Sequence, residues 1–171
     1  MLKYAIFSYL PKRYLRKASF ETQEINRFIL DFKDGRKYAT AQAVNAVAQT
    51  LQLTDLSSTI FVCVPASCQR TTVRRYRRFS AELCKVCKAI NGFDYVTVEG
   101  HRGKKHRQAS LGSADLFRGT YIDETFFRGK KVVVFDDICT TGKSSQAFIE
   151  RLENAGASVR MALFLAKTRR F

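Results

Sequence analysis

At 171 residues, 46% of them hydrophobic and only two of them proline, the chain is long enough to bury one substantial core and too apolar to stay disordered. Its net charge of +15, from 30 basic and 15 acidic side chains, points to an anionic partner, either a phosphorylated small molecule or a nucleic acid. No apolar run approaches the roughly 18 residues of a membrane span.

The opening stretch, MLKYAIFSYLPKRYLRK, has too short and too aromatic an apolar run for a signal peptide, so a cytoplasmic protein is expected. Ile25, Phe28, Ile29 and Phe32 fall at i, i+3, i+4 and i+7, the stripe of an amphipathic helix, and KDGR at 33–36 stops it. The alanine-rich stretch from Tyr38 to Leu53 predicts a second helix. The β-branched run STIFVCVPAS at 58–67 predicts a buried strand ending at a proline. A helix is expected from Arg77 to Ile90 and a strand in the alternating DYVTVEG. Residues 101–120 carry three glycines and many charges with little periodicity, and read as a long loop or an irregular hairpin. A strand over 131–135, a helix over 144–154 and a closing strand over 158–167 complete a βα alternation. This is an α/β fold, with a mainly parallel sheet flanked by helices in a single domain.

Two basic clusters stand out, Arg70, Arg74, Arg75, Arg77 and Arg78 in one, and Arg102, Lys104, Lys105 and Arg107 in the other. Like charges this close repel unless an anion lies among them or the segments are solvated. The five cysteines, 63, 68, 84, 87 and 139, do not suggest a disulfide framework. Cys84 and Cys87 have the C-x2-C spacing of zinc or redox sites, yet they also share one face of the expected helix and suit its core.

The chemistry concentrates in GKKVVVFDDICTTGKSS, residues 129–145. Asp136 and Asp137 stand at a strand's carboxyl end, where parallel α/β sheets collect ligands. The next helix offers unpaired N–H groups in its first turn, Thr140, Thr141, Ser144 and Ser145 add hydroxyls, and Gly142 permits close approach, so this turn suits a phosphate. The neighbouring carboxylates would repel that phosphate unless they face sugar hydroxyls. TTGKSS imitates the end of a nucleotide-binding P-loop, but the first glycine of that pattern would fall at Asp137.

The strand–Asp–Asp–x–x–Thr–Thr–Gly–x–Ser arrangement resembles the phosphoribosyl-pyrophosphate (PRPP) motif of the type I phosphoribosyltransferases. The pieces Val64-Pro65, Arg78-Phe79-Ser80-Ala81-Glu82-Leu83, Arg102 with Gln108 and Leu111, and Arg118 are similar to the ComF-type branch, without its N-terminal four-cysteine zinc element. The resemblance implies transfer of phosphoribose from PRPP to a nucleobase-like acceptor. Asp136 and Asp137 would hold the ribose hydroxyls, and Cys139, Thr140, Thr141, Gly142, Lys143 and Ser144 the 5′-phosphate. It further implies a pyrophosphate loop at Ala66, Ser67, Cys68 and Gln69, a lid over 101–118 bringing Arg102 and Lys105 to the leaving group, and Mg²⁺ held through PRPP and water. Residues 1–40 are expected as an aromatic hood over the acceptor and 41–171 as the core. The same basic clusters suit single-stranded DNA, which fits an accessory role in DNA uptake, and some proteins of this fold sense PRPP without turnover. If the chain self-associates, a homodimer is expected.

Overall fold

Parallel strands covered on both faces read as continuous apolar runs, and the interior strands here obey that rule. The computed structural model describes residues 1–100 and 116–169. Its main sheet has the order β1 (Leu2–Tyr9), β7 (Ser158–Thr168), β6 (Lys131–Cys139), β2 (Thr59–Cys63) and β3 (Ile90–Asn91), with every neighbouring pair parallel. All five residues of β2 are buried, as are Val132 to Phe135 of β6. A separate antiparallel ribbon joins β4 (Val96–Val98) to β5 (Thr120–Ile122).

One face of the sheet is covered by α2 (Phe20–Lys33), α3 (Lys37–Leu51) and α5 (Arg78–Cys87), while the short α1 spans Lys12–Leu15. The Ser19 hydroxyl accepts from Thr22 N–H and caps α2, whose stripe buries Ile29 and Phe32 completely. Phe135 anchors this face: its ring lies 4.7 Å from Phe79, 5.8 Å from Phe61, 6.1 Å from Phe32 and 6.4 Å from Tyr76. Each such fully buried aromatic contributes about 1.5–3 kcal/mol of apolar burial. The opposite face is covered by α7 (Lys143–Asn154), the ribbon and α6 (Glu124–Phe127), through Phe148, Ile149, Leu152, Phe117 and Phe127.

Several elements depart from the sequence reading. The helix expected from Arg77 starts earlier: α4 (Gln69–Thr72) runs through a π-helical segment, Val73–Arg77, directly into α5. It stops at Cys87, with Lys88 left-handed at its end; further on, Gly92 passes hard against β2, where a Cβ would meet Ile60 Cγ2 at 2.7 Å. DYVTVEG pairs in the ribbon and not in the main sheet. Residues 1–40, expected as a hood, supply edge strand β1 and helix α2. The aromatic density that suggested a cap is partly core packing, since Phe7 and Phe28 meet edge to face at 5.6 Å.

The connections fix where a ligand can sit. From β2 the chain crosses through α5 to β3 on one side, and from β6 it crosses through α7 to β7 on the other. Right-handed crossovers in opposite directions put their helices on opposite faces, so the loops after β2 and β6 part around a crevice at the carboxyl ends of the strands.

Candidate functional site at the β2–β6 crevice

The loop after β2 is stitched to its neighbour by Val64 N–H, which donates to Phe135 C=O at 2.8 Å. Its shape depends on Thr72, a buried hydroxyl in α4. Thr72 Oγ1 accepts from Ala66 N–H at 3.0 Å and donates to Cys68 C=O at 3.0 Å. Gln69 Oε1 accepts from Val98 N–H at 2.9 Å and ties the loop to the ribbon. Ala66, Ser67, Cys68 and Gln69 therefore form one braced turn at the crevice, with Ser67 exposed. The Cys68 thiol donates to Thr71 Oγ1 at 3.3 Å. Its pKa is lowered, first because the Thr71 hydroxyl can turn to donate to the thiolate, then through the Thr71 backbone N–H.

Across the crevice, Asp136 and Asp137 occupy the end of β6 but differ in environment. Asp136 is half-buried, and its Oδ1 accepts from Asp137 N–H at 2.9 Å and lies 3.5 Å from the Tyr76 hydroxyl. Burial, then the Asp137 and Asp136 carboxylates, push the Tyr76 phenol well above its ordinary range, so it remains a donor. Asp137 is buried. Its Oδ1 accepts from Ile138 N–H at 2.6 Å, and its Oδ2 is ion-paired with Arg75 Nη1 at 2.7 Å. The two carboxylates expected to share one sugar are thus adjacent in sequence and unequal in access.

The turn leading into α7 exposes Thr140, Thr141 and Lys143. Gly142 has φ +78°, and a Cβ built there would find Cys139 Sγ at 3.7 Å and Ser145 Oγ at 3.9 Å. Space is available, so backbone handedness makes glycine the favoured residue. Ser145 donates to Gly142 C=O at 2.9 Å, Lys143 N–H reaches Thr141 Oγ1 at 3.4 Å, and the Thr140 and Thr168 hydroxyls are bonded at 3.2 Å. The remaining first-turn N–H groups have no intrahelical acceptor, as at any helix start. A cleft of about 370 Å³ borders this turn, lined by Lys3, Tyr4, Cys139, Thr140, Thr141 and Lys167 among others.

The sequence pattern missed Arg75, Tyr76 and Thr72 as members of the site, and Lys3 and Lys167 as its neighbours. Arg75 was visible only as one of five clustered arginines. The structure divides that cluster: Arg75 turns inward, Arg78 pairs with Glu82 at 2.6 Å, and Arg70, Arg74 and Arg77 are exposed. Arg102, Lys104, Lys105 and Arg107 lie outside the described residues. Cys84 is pushed up to about 12, by burial and then by Cys87. Among the described residues no group of three or more His, Cys, Asp or Glu is placed to hold a metal. No helix among them is long and apolar enough to cross a membrane.

A family model described as "Phosphoribosyl transferase domain" matches residues 36–170. The chain belongs to that family. This phosphoribosyl transferase domain is similar in structure to an adenine phosphoribosyltransferase from Rhodothermus marinus DSM 4252, with 19% identity, a TM-score of 0.47 and coverage of 78% of this chain and 69% of that one. It is also similar to a purine phosphoribosyltransferase from Pyrococcus horikoshii Ot3, with 14% identity, a TM-score of 0.41 and coverage of 77% and 84%. No curated protein matches it. The family match begins at Arg36, within the turn before α3, and so takes in both crevice loops but neither β1 nor α2.

Proposed function

We propose that the protein transfers phosphoribose from PRPP, in the presence of Mg²⁺, to an acceptor of nucleobase type, and that it stands in the ComF-like branch of its family. The observation that carries the reading is the pairing of a braced loop after β2 with an acidic, hydroxyl-rich turn after β6 on adjacent parallel strands. Family membership supports PRPP as the substrate. In this reading the 5′-phosphate lies on the N–H and hydroxyl groups of residues 140–144, and Asp136 accepts from a ribose hydroxyl. Pyrophosphate meets the main chain of Ala66 to Gln69. Arg102 and Lys105 are proposed to approach the departing pyrophosphate.

Breaking the C1′–oxygen bond leaves positive charge on the sugar and negative charge on pyrophosphate, so the protein must fix both groups in place and exclude water. Thr72 holds the pyrophosphate turn before substrate arrives, which spares that ordering cost during reaction. When bound, Mg²⁺ would supply positive charge to offset the negative charge of the pyrophosphate. A hard, hydrated cation carried on phosphate oxygens needs one or two carboxylates and not a protein cage, and Asp136 is the accessible carboxylate at this place.

Calorimetry with Mg²⁺–PRPP, followed by pyrophosphate release with a panel of bases, tests the proposal. Binding that Asp136→Asn abolishes is the expected result. Wild-type protein that ignores PRPP would remove the assignment, and binding without release for any base would leave a sensor. One feature favours a second reading. Exposed Arg70, Arg74, Arg77 and Arg78 lie close along the helix that follows the loop, as a nucleic-acid backbone would require. Four phosphate contacts predict single-stranded DNA binding that weakens with salt at a log–log slope of about −3, whereas PRPP binding depends on Mg²⁺.

A further inference from the structure

Among the described residues, Arg75 and Asp137 form a buried ion pair in the crevice. Side-chain exposure is only 11% for Arg75 and 8% for Asp137, at 2.7 Å separation. Arg75 is held at a second point, since its Nε donates to Lys33 C=O at 2.9 Å, at the end of α2. Asp137 in turn has both oxygens engaged, one by Arg75 and one by Ile138 N–H. At 8% exposure the Asp137 carboxylate offers a sugar hydroxyl little access, and separating the buried pair to open it would leave an uncompensated charge. Asp136, the more exposed of the two, is oriented from the same helix by the Tyr76 hydroxyl.

We propose that Arg75 is a positioning residue of the ribose site: it keeps Asp137 as a strut between the acidic turn and the helix after the pyrophosphate loop, and leaves Asp136 as the carboxylate that meets the sugar. The inference rests on the PRPP reading above and assigns unequal work to two residues that the motif treats alike. Arg75 and Thr72 lie on one continuous helix, so the pair fixes the distance between the ribose and pyrophosphate ends of the crevice. Displacing one end relative to the other misaligns a substrate held at both.

The test is a double-mutant cycle read as Mg²⁺–PRPP affinity by calorimetry, with circular dichroism confirming that each variant is folded. Arg75→Met and Asp137→Asn are each expected to weaken binding about 10- to 100-fold, the scale of one hydrogen bond to a charged group lost through misplacement. The double variant should be no weaker than the worse single one, because the two residues act as a unit. Arg75→Lys, which keeps the charge but loses the planar fork that also reaches Lys33 C=O, should recover only part of the affinity. Additive losses would show Asp137 touching the ligand itself and overturn the proposal, as would a folded Arg75→Met that binds like wild type. If Arg75→Met does not fold, Asp137→Asn is compared with Asp137→Asn/Arg75→Gln, where no buried charge is left unpaired; equal affinity supports the strut and unequal affinity overturns it. Failure of the PRPP reading looks different, since wild-type protein would then bind no PRPP.

Discussion

Thr72→Val is the sharpest probe of how the crevice loop is braced. Valine keeps the shape of threonine at this buried position and removes only the hydroxyl that accepts from Ala66 N–H and donates to Cys68 C=O, each at 3.0 Å. The Cys68 carbonyl keeps a partner, because Thr72 N–H also donates to it at 3.0 Å. The loss falls mainly on the Ala66 bond, where removing an acceptor from a half-buried N–H costs about 1–2 kcal/mol. For a chain of this length, that lowers Tm by roughly 2–8 °C. Thermal melts followed by circular dichroism measure this directly, and calorimetry with Mg²⁺–pyrophosphate reports the loop. Pyrophosphate affinity should fall in Thr72→Val and return in Thr72→Ser. A valine variant that melts with wild type and binds pyrophosphate equally well would refute the bracing argument.

Phe135→Ala removes the ring shared by Phe32, Phe61, Tyr76 and Phe79 and should cost about 3–5 kcal/mol in urea unfolding. Gly142→Ala keeps steric room, with the nearest atom at 3.7 Å, but forces a side chain onto φ +78°; about 1–2 kcal/mol of stability and a weaker response to phosphate are expected by thermal shift. Cys84 predicts the alkaline behaviour. Its thiol is held up to about 12 in the folded chain against 9.0 unfolded, so its contribution to stability is complete below pH 9.0 and is lost as pH rises toward 12. Urea titrations between those limits should show this decline, and Cys84→Ala should flatten it.

Much of the fold was legible because local patterns agree with burial. TIFVC and VVVF are apolar without interruption, and both proved to be strands covered on two sides. Ile25, Phe28, Ile29 and Phe32 laid out the buried face of α2 in the same direct way. The acidic turn, its hydroxyls and Gly142 were expected between a strand and a helix, and they lie between β6 and α7. What stayed hidden depends on long-range pairing. Leu2 lies beside Met161 in a parallel ladder, and nothing local in LKYAIFSY distinguishes an edge strand from an aromatic cap. The partner of Asp137 lies 62 positions earlier, inside an arginine cluster whose members look equivalent until the helix turns one inward. The cysteine spacing had two readings, and the buried thiols of Cys84 and Cys63, with pKa values pushed up by burial, agree with the packing one.

The π-helical segment Val73–Arg77 lets a single rod keep two appointments. Downstream of it, Phe79 and Leu83 are phased to the sheet; upstream, Thr72 is phased to the mouth of the crevice. Winding the same residues as a regular α-helix would rotate one half against the other by roughly 100°, the angle of a single residue, because the wider π turn takes up one residue more. Core and crevice would then fall out of step. Insertions in this stretch should therefore be far less tolerable than substitutions, because its length, as much as its composition, is what the site depends on.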